Sequence, residues 1–450
     1  MGRLFGTDGI RGQANSYPLT VEMFINIGRA LAHLYRQPGQ HVPQIIIGRD
    51  TRLSNDMLES ALAAGICSAG GNALIAGVLP TPGVAFLTGR LPADAGVVIS
   101  ASHNPFEDNG IKIFGPGGWK LADENELDIE SWLLDQDASF LSVAPDQCGR
   151  ISRLVDAETR YMDFVKRSFL PTTNLDGVNI VLDCSHGAAS YIAPETFRQL
   201  GVRVSTLFNT PNGVNINLHC GSQHPEALAR AVVEQGAAAG FAFDGDADRL
   251  IAVDEKGTVL TGDQILTICA AALKKAGRLT NNLVVRTVMS NCGMGVALQS
   301  LGIDSVMTDV GDRAVLLAMQ NRGAVIGGED SGHLIFLEHH NTGDGMITAL
   351  QVLAVMLQEG RPLSELAQVM TVFPQTLINV AVTRKDDPDT IPELVKIIKD
   401  VENKLGAAGR VLVRYSGTQN LCRVMVEGPN ADFTERYCRQ IAAVAQEKLA

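Results

Sequence analysis

AGVVISASHNP (95–105), AGFAFDGDADR (239–249) and GAVIGGEDSGH (323–333) share one form, a short apolar run that ends in a polar loop. Runs of this length, bounded by glycine and alternating with helical patterns, read as strands buried on both faces of a mixed or parallel sheet. The same elements precede each of them. A buried strand comes first (QIIIGRD at 44–50, NIVLDCS at 179–185, NLVVRTVMS at 282–290), then a helix ending in glycine, then a second strand. The helix-to-strand joints SAGGNALIAG, RQLGVRVSTL and QSLGIDSVMT each place glycine where a helix end needs a left-handed residue. Such self-similarity marks one α/β domain used three times. The three loops are therefore expected to be structurally equivalent, and ligands of such sheets bind beyond the carboxyl ends of the strands.

Past about residue 370 the pattern changes to strand LINVAV, a helix from about Ile391 to Leu405, paired strands RVLVRYS and CRVMVEG, and a terminal helix. The expected fold class is α/β, with three similar mixed-sheet α/β domains followed by a smaller α+β C-terminal domain around a central cleft. The expected boundaries are 1–151, 152–254, 255–370 and 371–450, with Pro374 in TVFPQ at a hinge.

Bulk properties agree with a globular chain of several domains. Of 450 residues, 46% are hydrophobic, only 5% are aromatic and 45 are glycine, which suits tight strand-to-helix turns. The net charge of -12 and the absence of a basic run give nucleic acid no source of attraction, so no such partner is expected. MGRLFGTDGIRG lacks the apolar core of a signal peptide and no stretch reaches 18 apolar residues, so the expectation is a cytoplasmic protein with no membrane partner. Eight cysteines without CxxC spacing read as reduced thiols. His219, Cys220 and His224 read as part of a turn-rich loop leading into a helix, not as a zinc site.

Chemistry is expected from four motifs. Ser102 follows a buried strand, and Asn104-Pro105 turns the chain so that its hydroxyl stands at the sheet's edge, in a surface turn; His103 and Lys112 can supply proton transfer or positive charge beside it. Asp244, Asp246 and Asp248 alternate along FDGDADR, so an extended loop would aim three carboxylates at one spot, an oxygen-only set suited to magnesium or calcium. An EF-hand is excluded because Arg249 occupies the position that needs glycine and a strand precedes the loop. GGEDSGH offers Glu329, Ser331 and His333 to sugar hydroxyls. RYSGTQN brings Arg414, Ser416, Gly417 and Thr418 together between two strands, with Arg423 shortly after, a set that matches a phosphate dianion. No P-loop sequence is present.

These motifs, with FGTDGIRG, GRDTR, PTPGVA, EDNGIK, GVNIN, CGS, HPE and VGDR in the same order, make the chain resemble the α-D-phosphohexomutases over nearly its whole length. The resemblance implies that Ser102 is a phosphoserine and that Asp244, Asp246 and Asp248, with Ser102, hold Mg2+. It implies that Arg11, His103, Lys112 and Arg249 lie close to the phosphoserine, that Glu329, Ser331 and His333 meet the sugar, and that the RYSGT loop grips the phosphate that does not transfer. The implied activity interconverts glucosamine 6-phosphate and glucosamine 1-phosphate through a bisphosphate intermediate, with hexose 1,6-bisphosphate as the phosphorylating activator, in a monomer or homodimer. The proton acceptor is left open between Lys112 and His103. Activity on glucose or mannose phosphates, or a sugar-phosphate sensor without catalysis, are the alternatives. Three positions depart from the family's usual pattern: Ala314 after VGDR, Asp330 for glutamine, and Gln419-Asn420 for Glu-Pro.

Overall fold

The computed structural model describes residues 4–6, 8–36, 41–135, 142–169, 174–406, 409–415 and 420–449. They form two compact units, Met1–Met289 with Ser305–Ala367, and Ser290–Asp304 with Gln368–Ala450.

The larger unit holds three sheets. The first segment runs β1 (Ile10–Gln13), α1 (Val21–Tyr35), β2 (Gln44–Arg49), α2 (Asn55–Ser68), β3 (Asn72–Val78), α3 (Thr81–Arg90), β4 (Ala95–Ile99), β5 (Asp108–Phe114), α4 (Asp123–Leu134) and β6 (Ile151–Arg153). The second runs α5 (Ala157–Arg167), β7 (Asn179–Asp183), α6 (Ala189–Gln199), β8 (Arg203–Leu207), α7 (Glu226–Gln235), β9 (Ala239–Phe243), β10 (Leu250–Asp254) and β11 (Val259–Leu260). The third runs α8 (Gly262–Lys275), β12 (Leu283–Thr287), α9 (Cys292–Ser300), β13 (Asp304–Thr308), α10 (Asp312–Arg322), β14 (Ile326–Gly328), β15 (Leu334–Phe336), α11 (Gly345–Glu359) and α12 (Leu363–Leu366); of these, α9 belongs to the smaller unit.

The strand orders β3-β2-β4-β5, β8-β7-β9-β10 and β13-β12-β14-β15 are one arrangement used three times. In each the two central strands are parallel and the last is antiparallel. Every residue of β4, β9 and β14 is buried, which is why these runs are apolar throughout rather than alternating. Helices α2, α6 and α9 are followed by left-handed Gly70, Gly201 and Gly302, as the joints predict.

Backbone hydrogen bonds fasten the loops to one another. Thr81 N donates to Asp246 O (2.9 Å), Gly345 N to Ala247 O (3.0 Å), Leu250 N to Gly332 O (3.1 Å) and Gly262 N to Asp330 O (2.9 Å). The loop after β14 is thus tied to the strand that leaves the metal-loop candidate.

The smaller unit has the antiparallel order β16 (Gln375–Ala381), β18 (Leu421–Glu427), β17 (Arg410–Tyr415), with α13 (Pro392–Leu405) and α14 (Ala431–Leu449). Leu394 and Val401 of α13 and Cys438, Ile441 and Ala445 of α14 close over Cys422, Val424 and Val426. Buried Glu427 accepts from Arg410 Nε and from Cys292 N, both at 2.8 Å. Within TVFPQ, the expected hinge, Phe373 exchanges two 3.0 Å hydrogen bonds with the Asn291 side chain. None of the eight cysteines is in a disulfide; five are buried, while Cys148 is exposed. Among the described residues no helix is long and apolar enough to cross a membrane.

Gly332 has φ +91°, and a Cβ there would stand 2.1 Å from Leu250 O. Gly332→Ala should therefore lower the unfolding free energy by about 2–3 kcal/mol, combining left-handed strain with overpacking. A urea titration of the full chain checks this: the midpoint falls while its slope is retained.

Candidate functional site

Strand β4 ends at Ile99 and delivers Ser102 into the larger unit, with φ at +53°. The surface-turn expectation for this residue is corrected, since Ser102 is fully buried. Its Oγ donates to Asp244 Oδ2 at 2.5 Å and lies 3.3 Å from His103 Nδ1. His103 Nδ1 accepts from Arg249 Nη1 at 2.8 Å. Burial, then the charges of Arg249 and Arg11, push the His103 imidazole down to about 4, so the ring is neutral at pH 7.

Strand β9 delivers the three aspartates. Their loop is not extended: Ala247 is left-handed at φ +57° and its N–H returns to Asp244 O at 3.1 Å. The curl, rather than the period of a strand, brings one oxygen of each carboxylate within 4.8 Å of the others. All three are buried. Thr81 Oγ1 donates to Asp246 Oδ2 at 2.6 Å, and Arg249 N to Asp244 Oδ1 at 3.2 Å.

Lys112 supplies the opposing charge. On β5, Ile111 and Ile113 face the core and Lys112 the other side, where its Nζ reaches Asp246 Oδ2 at 2.8 Å, Asp248 Oδ2 at 2.9 Å and Asp8 Oδ2 at 3.1 Å. Burial disfavours the ammonium, but these three carboxylates hold its pKa well above the ordinary lysine range. Burial, then Asp248 and Asp246, pushes the Asp244 carboxyl well above its usual value. Asp8 stays well below its own, because Lys112, Lys120 and Arg11 outweigh burial. Asp246 Oδ1 and Asp248 Oδ1 are buried without a hydrogen-bond partner among the described residues. Orphaned carboxylate oxygens in an all-oxygen cluster fit a hard divalent cation.

Sequence models of the phosphoglucomutase/phosphomannomutase family match the chain as alpha/beta/alpha domains I, II and III at residues 2–139, 159–257 and 261–373, and as the C-terminal domain at 377–444. The chain belongs to this family. A phosphoglucosamine mutase of Syntrophus aciditrophicus is 61% identical, with all of both chains covered. A solved phosphoglucomutase/phosphomannomutase family protein of Burkholderia thailandensis shares the fold at TM-score 0.79 and 22% identity, covering 99% of this chain and 98% of its own. Aspergillus fumigatus N-acetylphosphoglucosamine mutase, solved with GlcNAc-6P and magnesium, does so at TM-score 0.69 and 17% identity, covering 99% and 96%.

In this phosphohexomutase the remaining candidates divide. Arg11 and Arg249 stand with the serine and aspartates: Arg11 Nη2 donates to Asp8 Oδ2 at 2.6 Å, and Arg249 Nε lies 3.8 Å from Asp248 Oδ1. Buried His333 belongs to the carboxylate side, its Nδ1 3.7 Å from Asp248 Oδ2 while its Nε2 accepts from Gly343 N at 3.2 Å. Half-buried Glu329 accepts from Gly311 N at 2.9 Å, and Ser331 Oγ has no partner among the described residues. Arg414 and Arg423 are directly opposed on β17 and β18 of the smaller unit. Ser416, Gly417 and Thr418 lie outside the described residues.

Five residues escaped the reading of the sequence as functional: Asp8, Arg52, Thr81, Lys120 and Asn217. Four of them sit in the quoted motifs FGTDGIRG, GRDTR, PTPGVA and GVNIN, but nothing local shows what their side chains meet. Lys120 has no motif at all, yet it bridges Asp8 and Asp312.

Asp246→Asn should weaken magnesium binding at least about tenfold, since a hard cation loses one of three charged ligands. Calorimetric titration of the full chain with magnesium chloride, in the absence of sugar, measures this.

Proposed function

We propose that the protein interconverts glucosamine 6-phosphate and glucosamine 1-phosphate, passing a phosphoryl group through Ser102 and a glucosamine 1,6-bisphosphate. One observation carries the reading: the Ser102 hydroxyl is buried, hydrogen-bonded to Asp244, and stands among His103, Arg249 and the aspartate cluster. Identity of 61% over the full length to a relative named phosphoglucosamine mutase supports the amino sugar as substrate.

Asp244, Asp246, Asp248 and the Ser102 oxygen would hold magnesium, which when bound supplies positive charge against the spreading charge of the transferring phosphoryl group. Around it this chain's own residues divide the work. Phospho-Ser102 breaks its P–O bond as the free sugar hydroxyl forms a new one and gives up its proton. Lys112 and Arg249 enter as cations and offset charge on the phosphoryl oxygens. His103 is the neutral one of the two candidate proton acceptors. The bisphosphate reorients, its other phosphate passes to Ser102, and the 1-phosphate leaves. Glu329 and Ser331 would hold sugar hydroxyls, and Arg414 and Arg423, with Ser416, Gly417 and Thr418, the phosphate that stays. A hexose 1,6-bisphosphate loads Ser102 at the outset. Eight cysteines without a disulfide suit a reducing cytoplasm.

Phosphorus NMR of the protein with magnesium and a trace of glucose 1,6-bisphosphate tests this reading, with glucosamine, glucose and mannose 6-phosphates in separate tubes. Glucosamine 1-phosphate should appear fastest. Faster conversion of another sugar would keep the chemistry and change the substrate, and no conversion in any tube would favour a sensor. Ser102→Ala should abolish turnover and cost about 1 kcal/mol of stability, the net worth of its hydrogen bond to Asp244. Retention of turnover by that variant would remove the covalent mechanism.

A further inference from the structure

Ser102 holds its left-handed backbone inside the protein, and something must fix it there. Arg52, a fully buried arginine in the loop after β2, faces the Ser102 loop with its whole guanidinium. Nη2 donates to Ser102 O at 3.1 Å and to Asn104 O at 2.8 Å. Nη1 donates to Asp108 O at 3.0 Å and also to Pro105 O. Nε pairs with Asp50 Oδ2 at 2.9 Å. The same Asp50 oxygen accepts from Ser100 Oγ at 2.6 Å, and Ser100 Oγ accepts from Ser102 N at 2.9 Å. Both backbone groups of Ser102 therefore lead back to one buried ion pair.

A second clamp reaches the loop from the second α/β segment. Asn217 Nδ2 donates to the same two carbonyls, Ser102 O at 2.9 Å and Asn104 O at 3.0 Å. Its own backbone is held in turn, since Asn217 N donates to Ser185 O at 2.9 Å. Gly245, between the first two aspartates, completes the seat: a Cβ there would stand 2.5 Å from Ser102 O.

We infer that Arg52 and Asn217 are positioning residues for phosphoryl transfer, jointly fixing the Ser102 backbone so that Oγ points at the carboxylate cluster. A planar fork of five N–H donors can serve four carbonyls and a carboxylate at once, which a lysine cannot. The inference rests on Ser102 as the phosphoryl carrier.

Single-turnover transfer of label from 32P-glucose 1,6-bisphosphate to the full chain, with magnesium, tests it alongside steady-state kinetics. Absence of label in the unaltered protein would remove the phosphoserine reading itself, with Ser102→Ala as the blank. Given labelling, Arg52→Lys keeps the buried charge beside Asp50 but loses the fork. Misplacement of about 1 Å predicts labelling and kcat slowed about 100-fold. KM should stay within about twofold, because the interaction lost matters in the transition state. Asn217→Ala, at a half-buried position whose backbone is left-handed (φ +59°), should slow labelling about tenfold by the same argument. Asn217→Asp should lose more, since it sets an acceptor against two carbonyl oxygens. Labelling of Arg52→Lys and Asn217→Ala at the unaltered rate, or a loss confined to KM, would overturn the inference. Should Arg52→Lys fail to fold, the two Asn217 variants decide it.

Discussion

Three carboxylates buried within 4.8 Å of one another are the constraint around which the larger unit is arranged. In a low-dielectric interior such charges repel strongly unless protons or cations intervene. The chain answers with alternation: Lys112 lies between Asp246, Asp248 and Asp8, and Asp8 lies between Lys112, Lys120 and Arg11. Lys120 then passes to Asp312 at the start of α10. Apart from Asp246 and Asp248, which share one loop, the partners come from different parts of the fold. The electrostatics of one loop therefore dictate how three α/β segments meet.

The repeated sheet makes this meeting possible. One strand order, used three times, sends an equivalent loop from the carboxyl end of β4, β9 and β14. The framework is common while the loops differ, so a hydroxyl, a carboxylate cluster and a glutamate with a histidine are delivered separately. Backbone hydrogen bonds such as Thr81 to Asp246 and Leu250 to Gly332 join loop to loop directly. The candidate site groups are thus held by main chain, the least adjustable part of each element.

The fold was legible because its signals are local. Apolar runs such as AGFAF mark strands without partners being known, and glycine at 70, 201 and 302 marks helix ends. The reactive groups were legible for a related reason: serine after a buried strand and alternating aspartates are unusual within a few residues of chain. The local conformation was not legible. Alternation at Asp244, Asp246 and Asp248 suggested an extended loop, whereas left-handed Ala247 curls it, because the loop's hydrogen bonds run to Gly345 and Thr81 far along the chain. Ser102 was expected in a surface turn for the same reason. Its burial comes from Arg52, Asn217 and Gly245, which approach from three separate loops.

The sequence by itself determined which elements form, how often they repeat and which residues are candidates for the chemistry, since each depends on side-chain type and spacing within one short stretch. The tertiary structure alone decided how those residues are charged and held. Lys112 is an ordinary strand lysine until three distant carboxylates fix its ammonium, and His103 is an ordinary histidine until burial and two arginines keep it neutral. Charge state and backbone strain depend on distances between groups far apart in the chain, and only folding sets those distances.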